Sequence, residues 1–482
     1  MPLYLLRVSL DHLTFRLPSL LSIAQVFNFP LFFVSDDKFR SILIVELERD
    51  EDVEKLLDRA TLIMSASRLY TQASSYDELH ANLKQRLHLF EPDMDRTFKL
   101  SVECSHHKIP GQRHLRTIDS FSYIALKGRT DLRHPEVEFL IFEDYDWATM
   151  HKHEQRLDRD GRFRTVYFAR RIGQSRARPL MMAHSVKSRA FYGNTSMDSE
   201  MGFLLAGQAL PAPGKIIYDP FVGTGSLLYP CAHWGALVLG SDIDGRQMRG
   251  KAKGNGLVPG ILRAAAQYAV QDRFLDCLTF DVTRGPLRRG GWVDAIVTDP
   301  PYGVRAGAKR SGKKATHKKP MLSEPFLLSD GTFAHANPGY IPPFRPYELA
   351  HLTLDLVLLA RYLLVPKGRL VFFLPTVTEE YSDIDIPVVE GMRELKLGDG
   401  SVQDFGKWGR RLITMEKTAT DDGSPPTFED HELPLSDRKL PAHHDFRGRY
   451  FEKFASRQPM ESPDDPLPPH GGAIDPYPDT QI

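Results

Sequence analysis

Apolar residues along this chain switch repeatedly between a two-residue and a roughly 3.6-residue spacing, the signatures of strands and helices. Residues 3–8 and 41–47 are short apolar runs and predict strands. Residues 17–27, 51–60 and 76–89 predict helices, the last with Leu79, Leu83 and Leu87 along one face. That order predicts a small α+β unit over residues 1–90. Residues 98–104 and 137–143 alternate as half-buried strands do and carry the α+β pattern to residue 175. After residue 214, strand-like runs at 215–221, 237–244, 274–280, 293–298 and 368–374 alternate with helical or glycine-rich stretches. An amphipathic helix is expected over 348–364, and a hairpin of 392–397 with 411–416 closes the series. The expectation for residues 176–417 is an α/β domain on a seven-stranded, mainly parallel sheet.

Composition narrows the class without naming a partner. At 482 residues the chain can hold about two to four domains. Hydrophobic and charged contents of 41% and 26% are ordinary for a globular protein, and Lys+Arg equals Asp+Glu at 62 each, so only local charge is informative. Cys104, Cys231 and Cys277 stand far apart among apolar neighbours, which suits a reducing compartment and neither a disulfide framework nor a zinc site. The most apolar N-terminal window, residues 20–34, is broken by Gln25, Asn28 and Pro30 and is too short to cross a bilayer. The expectation is a soluble cytoplasmic protein. His106 and His107, adjacent on a predicted strand, would point to opposite faces and read as solvent-exposed. Between His151 and Ala190 the balance is eleven Lys/Arg against three acids, with Phe163, Tyr167 and Phe168 interleaved. This stretch, which includes Arg170 and Arg171, reads either as a solvated connector or as a footprint for a phosphate backbone.

Chemistry enters at two places. The run Val293–Thr298 reads as a buried strand ended by Asp299-Pro300-Pro301-Tyr302. Two prolines remove N–H donors and leave nearby carbonyls facing outward, so a flat heterocycle on Tyr302 would have its amino group met by Asp299 and a main-chain oxygen. Eighty residues upstream, the predicted strand ending Asp219-Pro220-Phe221 runs into Val222-Gly223-Thr224-Gly225-Ser226 and an apolar helix. Glycines there permit close backbone approach to a ligand. Asp219, Asp242, Asp281 and Asp299 each cap a predicted parallel strand, and such ends share one crevice. Asp244 reads as a helix cap. Four carboxylates beside a glycine turn suit a ligand with an ammonium, ribose hydroxyls and an adenine amine, as S-adenosylmethionine has.

Taken in order, Asp219-Pro-Phe-Val-Gly-Thr-Gly-Ser, Ser241-Asp-Ile-Asp, Phe280-Asp281 and Asp299-Pro-Pro-Tyr resemble the amino-group methyltransferases of nucleic acids. Tyr192-Gly-Asn-Thr-Ser-Met-Asp-Ser-Glu200 and Asp299-Pro-Pro-Tyr-Gly-Val-Arg305 resemble, more narrowly, the catalytic subunits of the tRNA guanine-10 N2-methyltransferase family. The resemblance runs over residues 1–417, with its specific motifs between 192 and 305. It implies a ferredoxin-like segment over 1–90, a THUMP RNA-binding domain over 91–175 and a Rossmann-like methyltransferase domain over 176–417. It implies further that Asp219, Phe221, Gly223 and Gly225 hold the methionine part of the cofactor, with Thr195 and Ser196 at its carboxylate, Asp242 at the ribose and Asp281 at the adenine amine. Asp299 and the Pro300 carbonyl would accept the guanine N2 hydrogens while Tyr302 stacks on the base, with Pro301 and Arg305 beside it. A small zinc-containing activator protein is the implied partner, besides tRNA. Asp-Pro-Pro-Tyr alone also admits ribosomal RNA guanine N2 or adenine N6 as substrate, and a non-catalytic RNA-binding subunit is the reading from outside the enzymes.

Residues 305–345 begin with seven Lys/Arg and no acid up to Lys319 and read as a flexible basic loop. Residues 418–482 hold eleven prolines and thirteen acids against six bases, the composition of a disordered tail. The basic-aromatic cluster Asp445–Phe451 inside it reads either as docking on the body or as touching RNA.

Overall fold

The computed structural model describes residues 1–105, 109–145, 163–250, 260–287, 290–302, 307–312, 325–337, 343–377, 386–398, 400–406, 408–421 and 423–428. His106, His107, Arg305 and the cluster at 445–451 therefore lie outside the described residues. Among the described residues, no helix is long and apolar enough to cross a membrane.

The N-terminal strands are β1 (Leu3–Val8), β2 (Phe32–Phe33), β3 (Ile42–Glu46), β4 (Ile63–Ala73), β5 (Phe98–Cys104), β6 (Val137–Asp144) and β7 (Thr165–Gln174). They form one sheet in the order β2-β3-β1-β4-β7-β6-β5. Only β5 and β6 run parallel. The expected boundary near residue 90 falls inside this sheet, because β4 pairs with β1 on one side and with β7 on the other. Alternate residues of the strands sort onto two faces. Tyr4, Leu6 and Val8 pack under helices Arg16–Phe27 and Asp50–Arg59, and Leu5, Ile44, Leu140 and Phe142 form a cluster on the other face. A third cluster gathers Tyr70, Phe90, Phe139 and Phe168 under helix Tyr76–Lys84, which stops five residues short of the expected end and gives way to a 3₁₀ turn at Leu87–Asp93.

The basic stretch is partly a strand. Val166, Phe168 and Ala169 of β7 are fully buried. Arg170 reaches Asp93 at 2.8 Å, and Arg171 is 6% exposed and pairs with Glu103 and Glu138. Arg171 thus stands opposite acids of its own sheet and Arg170 opposite the 3₁₀ turn, not in a connector.

The second sheet contains β8 (Ile216–Asp219), β9 (Leu237–Asp242), β10 (Phe274–Thr279), β11 (Val293–Thr298), β14 (Leu364–Val377), β15 (Met392–Glu394), β16 (Ser401–Asp404) and β17 (Trp408–Lys417). Its order is β10-β9-β8-β11-β14-β17-β15, with β16 also on β17. The strands β10 through β14 in that order are parallel, while β17 is antiparallel to β14, β15 and β16. The expected seven strands thus gain a short eighth. Ile217, Val238, Ala295, Val297 and Phe373 face helices Ser199–Gln208, Leu228–His233 and Ile261–Gln267, whereas Tyr218, Ile296 and Phe372 face helix Leu349–Leu363. Burial on both faces explains why these strands read as continuous apolar runs. Within the expected basic loop, β12 (Lys309–Ser311) and β13 (Phe344–Pro346) pair as a short antiparallel ribbon. The first residues of the expected tail lie against the domain, with Phe428 packed on its apolar cluster.

The two units share polar contacts. Arg369, 3% exposed, donates to the Gln208 carbonyl at 2.9 Å and to Gln25 of the N-terminal unit, and Arg59 donates to the Pro211 carbonyl at 2.6 Å. Phe15 and Leu62 reach into the core of the second unit.

One glycine couples this packing to the turn after β8. A Cβ on Gly240 of β9 would lie 2.7 Å from the Val222 side chain, so the strand lets the glycine turn settle against it. Gly240→Ala is expected to cost about 1–3 kcal/mol in chemical denaturation, and unchanged stability would show that Val222 yields freely.

Candidate active site

The strand order reverses between β8 and β11, with β9 and β10 on one side and β14, β17 and β15 on the other. In open α/β sheets this switch leaves a crevice at the C-terminal ends of the strands. Asp219 ends β8, Asp242 ends β9, Asp281 follows β10 and Asp299 follows β11, so the four acids line one edge.

Asp219 holds the crevice together. Its Oδ1 accepts the Thr298 hydroxyl at 2.6 Å and the Phe221 N–H at 3.0 Å, tying the end of β11 to the turn after β8. Asp242 does the same from β9, with Oδ2 accepting the Gly223 N–H at 3.0 Å and Oδ1 that of Asp244 at 2.8 Å. Gly225 has φ of 82°, and a Cβ there would meet the Tyr229 ring at 3.0 Å. Gly223 has φ of 50° and open space beside it, the nearest atom to an added Cβ being the Phe221 oxygen at 3.9 Å. Asp244 caps helix Gly245–Arg249, as its position suggested.

The segment before the turn folds onto it. Ser196 Oγ lies 2.7 Å from Thr224 Oγ1, and the Met197 N–H donates to Ser226 Oγ at 3.2 Å. Thr195 is exposed beside them. Asp281 Oδ1 accepts the Thr283 N–H at 2.9 Å, while Oδ2 accepts the Ser311 N–H from β12, so the ribbon lies across that end of the crevice.

At the other end, Pro300 is buried and Pro301 and Tyr302 are half-buried. The residue that the sequence did not reveal is Arg410. Its Nη1 donates to Asp299 Oδ2 at 2.8 Å and to the Tyr302 hydroxyl at 3.0 Å, and its guanidinium lies 4.0 Å from the Phe373 ring centre. Gln403 accepts its Nε–H at 2.9 Å. The expected strand began at residue 411, whereas β17 begins at Trp408. An antiparallel neighbour starts where the parallel strands end, and that rule would have put Arg410 in the crevice. Arg170 and Arg171 are not brought to this edge.

Two family models match the chain: a Tmrp11 THUMP N-terminal domain over residues 2–177 and an RMKL-like methyltransferase domain over residues 187–323. The tRNA (guanine(10)-N(2))-methyltransferase of Saccharomyces cerevisiae is 34% identical over 457 residues, covering 94% of this chain and 99% of that protein. The chain belongs to the tRNA (guanine(10)-N(2))-methyltransferase family. The Schizosaccharomyces pombe relative of the same name is 32% identical over 94% of this chain and 96% of its own. A solved structure, TrmN from Thermus thermophilus, is similar at a TM-score of 0.40 and 14% identity over 86% of this chain and 99% of that one, too distant to bear on the site.

For a member of this methyltransferase family the cofactor is S-adenosylmethionine, and the crevice fits it. Asp219 is 2% exposed, burial pushes its carboxyl up to about 7, and repulsion from Asp242 and Asp299 adds to the rise. Burial also raises Asp242. Burial disfavours the charged forms of Asp219 and Asp242, and the ammonium and sulfonium of the cofactor would offset that cost.

The sign of the resulting pH dependence comes from Asp219. Its carboxyl titrates near 3.8 when unperturbed and near 7 in the folded protein, which therefore holds the proton more tightly. That contribution to stability is complete below 3.8 and disappears as pH rises through about 7. Ligand-free wild type should lose melting temperature relative to Asp219→Asn between about pH 4 and 7. Parallel melting curves for the two proteins would mean that Asp219 is ionised throughout.

Proposed function

We infer that this chain is an S-adenosylmethionine-dependent methyltransferase acting on the exocyclic N2 of a guanosine in tRNA, position 10 being the target its relatives' names give. The observation that carries this reading is the placement of Asp299, Pro300 and Tyr302 at the switch point, one strand away from the glycine turn. Residues 1–175 would bind the tRNA and residues 176–417 would carry out the transfer.

In the proposed reaction, Asp299 and the Pro300 carbonyl accept the two N2 hydrogens while Tyr302 stacks on the base. A guanine amino nitrogen is a weak nucleophile because its lone pair is delocalised into the ring. Two acceptors set out of the ring plane localise that pair and aim it at the methyl carbon. Thr195, Ser196, Asp219, Phe221, Gly223 and Gly225 grip the methionine end, Asp242 the ribose and Asp281 the adenine. Bound there, S-adenosylmethionine supplies an electrophilic methyl whose C–S electron pair stays on sulfur as the C–N bond forms. Asp299 stabilises the cationic nitrogen and takes its proton late. Alignment of two reactants supplies most of the gain, with electrostatics second. The base must reach the pocket flipped or already unpaired. Pro301 and, by the family resemblance, Arg305 would flank it.

A small zinc-containing activator is proposed as partner, and the cytoplasm as the site of action. Among the described residues, β10 pairs only with β9, which leaves an open sheet edge that carries Leu275, 49% exposed. Such an edge accepts a strand from another protein.

Transfer from labelled cofactor to tRNA, with the nucleoside identified by mass spectrometry, tests the reaction. N2-methylguanosine is expected, and N6-methyladenosine would refute the assignment. Asp299→Ala should lower transfer by at least about a hundredfold while tRNA affinity stays within about twofold. Equal losses of both would remove Asp299 from the chemistry. Leu275→Asp should abolish co-purification with the activator, and an intact complex would place that partner elsewhere.

A further inference from the structure

The turn between β16 and β17 carries a feature that the proposed reaction does not use. In β17, Trp408 pairs with Val377 at the last position of β14, so this turn stands at the same edge of the sheet as the four acids. The Phe405 N–H donates to the Trp408 carbonyl at 2.9 Å, and the Gly406 N–H to Asp404 Oδ1 at 2.8 Å, which fixes the hairpin end. The rings of Phe405 and Trp408 stack with centres 4.5 Å apart and planes inclined by 27°. Phe405 remains 46% exposed. An aromatic ring held rigidly against another ring, with one face in water, keeps apolar area exposed that folding could have buried.

Arg410 joins this pair to the pocket. Its guanidinium lies 5.9 Å from the Phe405 ring centre and 4.0 Å from that of Phe373, and it bonds Asp299 at 2.8 Å. The line from solvent to the base pocket is therefore Phe405, Arg410, then Asp299 with Tyr302. Residues 403–411 also carry three Lys/Arg against one acid, interleaved with the two aromatics.

We propose that Phe405 and Trp408 form a stacking platform for the nucleobase next to the target guanosine. This rests on the reading of the crevice as a nucleobase pocket. A base drawn out of its helix loses stacking and strips one face from each neighbour. A ring at the pocket mouth restores that contact whatever the neighbour's identity, since every base presents a π-face. Arg410 lies beside the Phe405 ring and, paired with Asp299, ties the platform to the pocket. The platform thus fits single-stranded or opened RNA at the mouth.

The test uses the full-length chain with its activator, reading tRNA affinity by fluorescence anisotropy and S-adenosylhomocysteine affinity by calorimetry. Phe405→Ala and Phe405→Leu should each weaken tRNA binding about tenfold, because leucine keeps apolar bulk without a ring face. Phe405→Trp should stay within about twofold of wild type. S-adenosylhomocysteine affinity should be equal in all four proteins. Bound tRNA should quench tryptophan emission, and Trp408→Phe should remove most of that quench. Phe405→Leu behaving as wild type would overturn the platform, and so would parallel losses of tRNA and S-adenosylhomocysteine affinity, which mark a structural role. A quench that survives in Trp408→Phe would overturn it too. If wild type binds tRNA but yields a nucleoside other than N2-methylguanosine, the reaction assignment falls, while the affinity ratios still decide the platform.

Discussion

Everything in the catalytic unit leans on a carboxylate with almost no water around it. Asp219 takes one bond from Thr298 and one from the Phe221 N–H, so a single oxygen fastens β8, β11 and the glycine turn together. Asp242 repeats this from β9 by holding the Gly223 N–H. Both acids are therefore framework groups, and in the proposed reaction they would be binding groups as well. The framework role requires burial, and burial disfavours their charge, so the ligand-free crevice carries electrostatic tension that a cationic ligand relieves. A neutral isostere at 219 would keep the bonds' geometry and discard the tension, which separates the two roles experimentally.

Much of this site was legible because the chemistry lies in short, contiguous pieces. A strand, a glycine turn and an acid at the next strand's end are local patterns, and the parallel topology does the rest by bringing strand ends to one edge. What escaped notice is non-local. Arg410 belongs to the crevice because β17 runs against its neighbours, and the expected hairpin implied that direction but began its second strand at 411, past Arg410. Charge misled in the opposite direction at β7. Eleven cations in forty residues look like a surface, yet Arg170 and Arg171 are balanced by Asp93, Glu103 and Glu138, which lie far away along the chain. The segments expected on either side of residue 90 share one sheet, and composition does not report that β4 lies between β1 and β7.

The junction between units uses cations in another way. Arg369 and Arg59 are buried and donate to carbonyls and an amide, and burial pushes each down to about 10. Arg59 also lies 4.5 Å from the Trp234 ring centre. Bonds from a guanidinium to backbone oxygens fix direction as well as distance. With Phe15 and Leu62 seated in the catalytic core, the junction is built to hold the N-terminal sheet at a set place relative to the crevice. An enzyme that selects one nucleotide in a folded RNA needs such a fixed span between its grip and its pocket.

The ion pair between Arg410 and Asp299 sets a condition on the chemistry. A carboxylate bonded to a guanidinium has less negative potential to offer a nitrogen that turns cationic as the methyl arrives, and the guanidinium's own charge opposes that cation at short range. The same contact fixes the Asp299 rotamer while the pocket waits. The two effects are compatible only if the arriving amine takes over part of the space that Arg410 now occupies. The guanidinium has another place to rest, because Phe373 lies on one side of it and Gln403 holds its Nε from β16. A cation parked on an aromatic face and anchored at one nitrogen can release its other nitrogen at modest cost. Binding of the correct base would then convert a stored ion pair into a catalytic carboxylate. In the proposed reaction this exchange would favour a base that carries an amino group at that point, since a base without one has nothing to exchange for the lost contact.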